Sequence, residues 1–237
     1  MRSKHPVGLV GLVASPRFDK LTKERQEEIL TTAGKEFAAN GFDGASLNKI
    51  IAALGISKGS FYYYFTDKMD LFRRTLEWMS EVFMDHLSAP AVLERLTADT
   101  FWSELERMTQ SKLDYVKEHS WMIGLGKALY QLPKDQFEGS VHEAFTDATR
   151  FFGAMLERGQ ELGVVRDDLP VEVLASMAFA VDEAWDRYMM TQTSDQSELI
   201  ADLDFLTGVA FDLTRRVVGA PNYIPPTRGR GSEESSS

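Results

Sequence analysis

The chain has 237 residues, 43% of them hydrophobic, with no cysteine and a net charge of −10. That length suits one or two domains with ample core, and the lack of cysteine excludes disulfides, thiolate metal ligands and a thiol nucleophile and fits a reducing compartment. No apolar run approaches the length needed to span a bilayer, and the acidic balance argues against a general nucleic-acid binder.

The charge is unevenly spread, however. Residues 1–74 carry 12 Lys and Arg against 8 Asp and Glu, whereas residues 75–237 carry 14 against 28. A basic head on an acidic body predicts that an anionic polymer such as DNA would meet only the head and be repelled by the body. Residues 1–16, MRSKHPVGLVGLVASP, faintly imitate a signal peptide, with Arg2 and Lys4 ahead of a short apolar stretch. Two glycines interrupt that stretch, and its apolar part runs only from Val7 to Ala14. Residues 1–20 are therefore expected to be a flexible arm and the protein cytoplasmic.

Thr22 is placed to cap a helix running to about position 40, with Ile29, Leu30, Ala33 and Phe37 as its buried stripe. Gly41 should stop it, and Phe42 can fold back on its last turn. Next comes SLNKIIAALGISKGSFYYYFTDK, residues 46–68. Leu47, Ile50, Ile51 and Leu54 give one apolar face behind a Ser46 cap, and Gly55 suits a left-handed terminus. Ser57 caps a second helix over 58–65, in which Phe61 and Phe65 face inward with Ile56. Lys58, Gly59, Tyr62 and Tyr63 fall on another face. A cation, an open backbone and two phenols can meet phosphates or base edges. Ordinary packing is the competing reading of the tyrosine run, but three successive aromatics cannot all face one core.

GISKGSFYYYFTDKMDLF resembles the recognition-helix signature of TetR-family transcriptional regulators, and EEILTTAGKEFAANGFDGASLNKIIAALG is similar to that family's first two helices. The resemblance covers roughly residues 22–76, with Ser60 where Thr or Ala is common and Tyr63 where His is common. It implies an all-α protein of about nine helices: a three-helix helix-turn-helix domain over 21–67, then a helical ligand-binding and dimerisation domain over 68–220. Phosphate contacts are expected from Ser46, Tyr62, Tyr64 and Lys68. Base contacts are expected from Lys58, Gly59, Ser60 and Tyr63, with Ser57 at the helix tip. Asn48 and Lys49, on the outer face of the preceding helix, are further candidates.

Asp67 should cap a helix over 68–87 that links head to body. Beyond Pro90 the pattern predicts a short helix at 91–96, then helices near 99–118, 120–132, 134–162, 170–192 and 197–218. The tail over 221–237 is rich in Pro, Gly and Ser and is expected to be disordered. Leu174, Val181, Leu203, Leu206, Ala210 and Leu213 lie on the apolar stripes of the last two helices. They are the expected interface of a homodimer built as a four-helix bundle.

No catalytic constellation is evident. His142-Glu143 lacks the second His of a zinc-binding helix, and no nucleophile elbow or phosphate loop occurs. Asp182, Glu183 and Asp186 crowd one helix and hint at a metal, but a solvated or inter-subunit acidic face explains them as well. No cofactor or metal is called for. The resemblance implies a ligand cavity in the body, and the aromatic-rich middle helices suggest Trp102, Trp121, Met122, Phe145, Phe152 and Trp185, with His142, Asp182 or Glu183 as polar fixers. The leading reading is a repressor, not an enzyme, that binds a palindromic operator and is released by a small apolar or aromatic ligand. A structural DNA-binding protein without a ligand and a helical enzyme with a DNA-docking head are the alternatives.

Overall fold

The computed structural model of the chain describes residues 17–86, 89–192 and 196–221. These form eleven helices: α1 Lys23–Gly44, α2 Leu47–Ala53, α3 Lys58–Tyr64, α4 Lys68–His86, α5 Ala89–Leu93, α6 Phe101–Glu118, α7 Trp121–Tyr130, α8 Lys134–Ala144, α9 Thr146–Glu161, α10 Val171–Gln192 and α11 Gln196–Val218. The number exceeds the expected nine partly because residues 134–162 are two helices rather than one. Phe145 leaves helical geometry there, at φ −113° and ψ 16°.

The caps explain the helix starts. Thr22 accepts from the Arg25 amide, and Ser57 accepts from the Ser60 amide at 3.0 Å. At the start of α4 the Asp70 amide donates to Asp67 at 2.8 Å, while the Asp70 carboxylate accepts from the Thr66 amide at 2.7 Å. These two bonds satisfy two amides that would otherwise lack partners. Gly41, at φ 68°, breaks α1 where expected, yet one further turn carries on to Gly44. Phe42 folds back and stacks on Phe37 at 6.1 Å between centroids. Gly55 and Gly163 also take positive φ, at the ends of α2 and α9. Beyond Gly163, Val165 and Gly219 form an isolated antiparallel bridge that ties the α9–α10 link to the end of α11.

Two cores organise the packing. The upper one joins Ile29, Leu30 and Phe37 of α1, Ile50 of α2 and Phe61 of α3 to Leu71, Phe72 and Leu76 of α4. It also takes in Met122, Leu125 and Leu129 of α7 and Phe137 of α8. The head therefore has no core of its own: apolar contacts run without a break past residue 67 into α4, α7 and α8. The lower core gathers Phe101, Trp102, Leu156, Leu174, Ala178 and Val218 from α6, α9, α10 and α11.

The boundary of the arm also differs from expectation. Residues 17–20 form a turn docked on the head, with Phe18 only 1% exposed. The ring of Phe18 lies 5.0 Å from Phe65 and 6.3 Å from Tyr64. Burial of Phe18, the Gln26 bonds to the Phe18, Asp19 and Leu21 carbonyls and the Asp19–Arg74 ion pair together offset the cost of ordering this turn, so residues 17–20 belong to the docked head. Residues 1–16 of the expected arm over 1–20 and residues 222–237 of the expected tail over 221–237 lie outside the described residues.

Candidate functional site

The head presents an exposed polar and aromatic surface built on α3. Phe61 and Phe65 are 1% and 3% exposed and anchor its inner side. The outer side carries Lys58 and Gly59, both exposed, with Tyr62 and Tyr63 half open at 50% and 51%. A Cβ on Gly59 would meet nothing closer than the Ser57 hydroxyl at 3.7 Å, so the protein's own packing does not require glycine there. Asn48 and Lys49 are exposed on α2, and Lys49 lies 4.0 Å from Glu36. Glu36 also accepts from the Ser46 amide at 3.0 Å, and Arg25 donates to the Leu54 carbonyl at 3.2 Å. Together these bonds fasten α2 to α1 and fix the angle at which α3 is offered.

Several expected DNA contacts are partly committed to the protein itself, Ser57 and Ser60 through the amide and hydroxyl bonds between them at 3.0 and 2.9 Å. The Ser46 hydroxyl accepts from the Lys49 amide at 3.4 Å as the α2 cap. Tyr64 is half-buried and sits edge-on to Phe18. Lys68 donates to the Asp43 carbonyl at 3.0 Å and the Ala45 carbonyl at 3.4 Å, with its ammonium over the Phe42 ring. Lys68 thus holds the turn after Gly41 closed, a partner the sequence pattern gives no means of foreseeing. Arg17 was missed altogether: its guanidinium lies over the Tyr63 ring, 4.4 Å from the centroid.

The structure does not gather the expected ligand residues into one cavity. Trp121 packs against α1, where a Cβ on Gly34 would meet its ring at 2.6 Å, and Met122 is buried in the upper core. Phe145 packs on that same core. Trp102 is buried in the lower core between Phe101 and Phe211, with Arg215 over its ring. Phe152 meets the edge of Phe179 at 5.4 Å. His142 lies on α8, but its side chain is outside the described residues. Trp121 and Met122 share α7, and Asp182, Glu183 and Trp185 share α10, but the two groups are not brought together at one cavity. These aromatics fill gaps between helices, which is the commoner use of a large apolar side chain.

Two polar features of the body lie nearby. Asp182 and Asp186 continue the face of α10 that is buried at Leu174 and Ala178. The Thr214 hydroxyl donates to Asp182 at 3.1 Å and the Tyr130 hydroxyl to Asp186 at 3.3 Å. Part of each side chain stays open to solvent, yet crowding by neighbouring helices pushes both carboxyls above their ordinary range, and Lys112 only partly offsets this. The same burial, with Asp186 adjacent, pushes the Tyr130 phenol far up. Beside this cluster a recess of ≈ 300 Å³ is lined by Leu132, Lys134, Phe137, Glu138, Glu183 and Arg187. Arg187 lies over both the Tyr130 and Phe137 rings. Of the nine expected ligand residues, Glu183 alone lines the recess. Lys134 and Arg187, which also line it, carry no signal in the sequence beyond being charged residues in helices.

Of the expected dimer residues, Leu174 is 0% exposed and belongs to its own subunit's core, so it cannot face a partner. Leu203 and Leu206 are half-buried against Ile123. Val181 and Ala210 are half-buried, and Leu213 is 39% exposed. The open apolar surface follows a different phase. Val173, Met177, Ala180, Ala184 and Tyr188 line one exposed side of α10, and Phe205 is 71% exposed on α11.

Residues 29–75 match the profile of the bacterial regulatory proteins of the tetR family. The HTH-type transcriptional repressor AcnR of Corynebacterium glutamicum is 27% identical over 198 residues, covering 80% of this chain and 94% of the relative. Among solved structures, a triclosan complex of SmeT is similar, with a TM-score of 0.65 at 20% identity over 86% of this chain and 97% of that one. SmeT is the repressor of a Stenotrophomonas maltophilia multidrug efflux pump. FadR of Bacillus subtilis, in complex with stearoyl-CoA, gives a TM-score of 0.61 at 16% identity over 78% and 96% of the two chains. At these identities the structural likenesses establish the fold.

Proposed function

We propose that this chain, which belongs to the TetR family of bacterial regulatory proteins, is a ligand-responsive repressor that binds a palindromic operator as a homodimer. The observation that carries the reading is the outer side of α3: a lysine, a glycine with open space above its Cα and two half-open tyrosines stand together on a helix anchored from behind by Phe61 and Phe65. Such a helix suits the major groove, with Lys58, Gly59, Ser60 and Tyr63 toward base edges and Tyr62 toward phosphate. A two-fold dimer would present two such helices to successive grooves, which is why the operator should be an inverted repeat.

The body supplies the response. Helix α7 touches both parts. At one point a Cβ on Gly124 would stand only 2.7 Å from the Ala38 carbonyl of α1, and at another Tyr130 meets Asp186 of α10. A ligand entering between α7, α8 and α10 would favour one placement of α7, and α1 would follow because the contact has no slack. The solved relatives hold an aromatic phenol and a fatty acyl thioester. An apolar or aromatic effector with one polar end therefore suits the Phe137, Tyr130 and Arg187 surroundings. No step of this reading is catalytic, and the place of action is the cytoplasm, where DNA is.

The test is selection from a randomised duplex library, followed by a thermal-shift screen of apolar compounds. An inverted repeat recovered from the library, and a compound that both raises the melting temperature and releases that duplex, are expected. Recovery of no preferred sequence would sink the repressor reading. A library site with no releasing compound among broad apolar sets would favour a DNA-binding protein without a ligand.

A further inference from the structure

The docked turn ahead of α1 carries a cation that the recognition helix itself does not supply. Among the described residues no carboxylate pairs with Arg17, and its neighbour Asp19 is engaged with Arg74 at 2.9 Å. Arg17 is exposed and stacks over Tyr63, itself half open on the outer side of α3. The turn is held in three ways. Phe18 is buried between Tyr64 and Phe65, and Arg74 lies over its ring while bonding Asp19. Gln26, almost wholly buried, donates to the carbonyls of Phe18 and Asp19 at 3.4 Å and of Leu21 at 3.0 Å.

We propose that Arg17 is a DNA-backbone clamp: its guanidinium, laid on the Tyr63 ring, grips a phosphate at the edge of the groove that α3 enters. The proposal rests on the DNA-binding reading of α3 and extends its contact set to the turn before α1. Stacking on an aromatic face leaves the in-plane N–H donors open, and two parallel donors match two phosphate oxygens. Arg17 stands beside α3 and not at its tip, so it meets the strand flanking the reading helix and not a base edge. The anchoring by Phe18 and Gln26 means that little of the arginine's backbone freedom remains to be lost on binding. Tyr63 then has a second task, as the platform that orients the clamp.

The experiment measures operator binding by fluorescence anisotropy at 50 and 200 mM salt for the wild type, Arg17→Ala, Arg17→Lys, Tyr63→Phe, Tyr63→Ala and the Arg17→Ala/Tyr63→Ala double variant. One phosphate contact contributes about 0.9 to the salt slope, so the ratio of wild-type to Arg17→Ala affinity should fall about 3.5-fold between the two salts. Every sequence in the library should lose affinity alike. Arg17→Lys should keep the slope but bind less tightly, because an ammonium gives one contact where the fork gives two. Tyr63→Phe should keep the clamp, and in the Tyr63→Ala background Arg17→Ala should cost much less than in the wild type. An unchanged slope for Arg17→Ala overturns the clamp. So does a loss confined to particular base pairs, and so do additive effects of the two alanine substitutions. A wild type that binds no duplex overturns the repressor reading together with the clamp, whereas a wild type that binds well beside an unaffected Arg17→Ala overturns the clamp alone.

Discussion

Gly59 separates the needs of the fold from the needs of DNA. In the free protein an added methyl group would meet only ordinary contact with Ser57, and alanine is the better helix former by about 0.5–1 kcal/mol. Gly59→Ala should therefore leave the protein as stable as before or slightly more so, while operator affinity drops because the methyl group occupies space the DNA needs. Urea denaturation and anisotropy on one preparation read both quantities. A destabilised variant, or one that binds normally, would mean that the glycine does not mark the approach of DNA. At this scale the reading helix was legible from the sequence, since caps, glycines and the inward phenylalanines are local signals. The partners of Lys68 and Arg17 were not legible. Lys68 is tied to carbonyls 23 and 25 positions earlier, and Arg17 lies across space on a tyrosine of another element. No spacing rule relates such pairs.

Among elements, α7 is the one whose place follows least from its own residues. Its apolar run suggests a cavity wall, yet Trp121, Met122 and Leu125 serve the core shared with the head. The contact with α1 is close because Gly34 and Gly124 allow it. A Cβ at Gly124 would stand 2.7 Å from the Ala38 carbonyl and 2.9 Å from the Ala38 methyl group, both parts of a packed helix that cannot swing aside. Gly124→Ala should cost about 1–3 kcal/mol, read as a lower urea midpoint with an unchanged slope. A midpoint equal to the wild type would show that α1 and α7 can part freely, and the proposed route from body to head would fail with it. Across the cluster, Asp186 faces Lys112 of α6 and Tyr130 of α7, with Asp182, Glu183 and Arg187 on its own helix. Its carboxyl is raised in the folded state, so between the unfolded value near 4 and the raised one the native protein holds more protons than the unfolded chain. Stability from this group is fully present below the unfolded value and falls as pH rises through the raised one. Asp186→Asn should accordingly be more stable than the wild type at pH 7 and lose that advantage by about pH 4, as urea midpoints across that range would record. An advantage that grew on acidification would mean that the ionised carboxylate is favoured in place.

For the whole molecule, the sequence predicted helices at the right places and a dimer contact through the last two, but Leu174, offered for that contact, turns into its own core. Both α10 and α11 are apolar on more than one side, so periodicity alone gives no preference between the stripe that meets the lower core and the stripe left open. Packing decides it: Leu174 and Ala178 turn inward at 0% exposure, leaving Val173, Met177, Ala180, Ala184 and Tyr188 outward. The alanines at 180 and 184 would let two copies of α10 approach closely. On α11, among the described residues, Phe205 at 71% and Leu213 at 39% exposure are the open large apolar ones, and an exposed phenylalanine on a long helix is costly unless something covers it. A second copy of the same surface, related by a two-fold axis, would cover it and place two heads for one operator. The proposed interface predicts that Phe205→Glu together with Leu213→Glu dissociates the dimer. Each glutamate would be buried against an apolar surface and near its own copy, a penalty of several kcal/mol per buried unpaired charge. Neither residue is needed within one subunit, so the helical circular dichroism should persist. Leu206→Glu is the contrasting variant. Leu206 packs toward Ile123 of α7 within its own subunit, so this change should lower the melting temperature first. Sedimentation velocity at micromolar concentration would show a monomer for the double variant, with operator affinity falling toward that of a single half-site. A folded double variant that still sediments as a dimer and binds the inverted repeat normally would place the subunit contact away from α10 and α11.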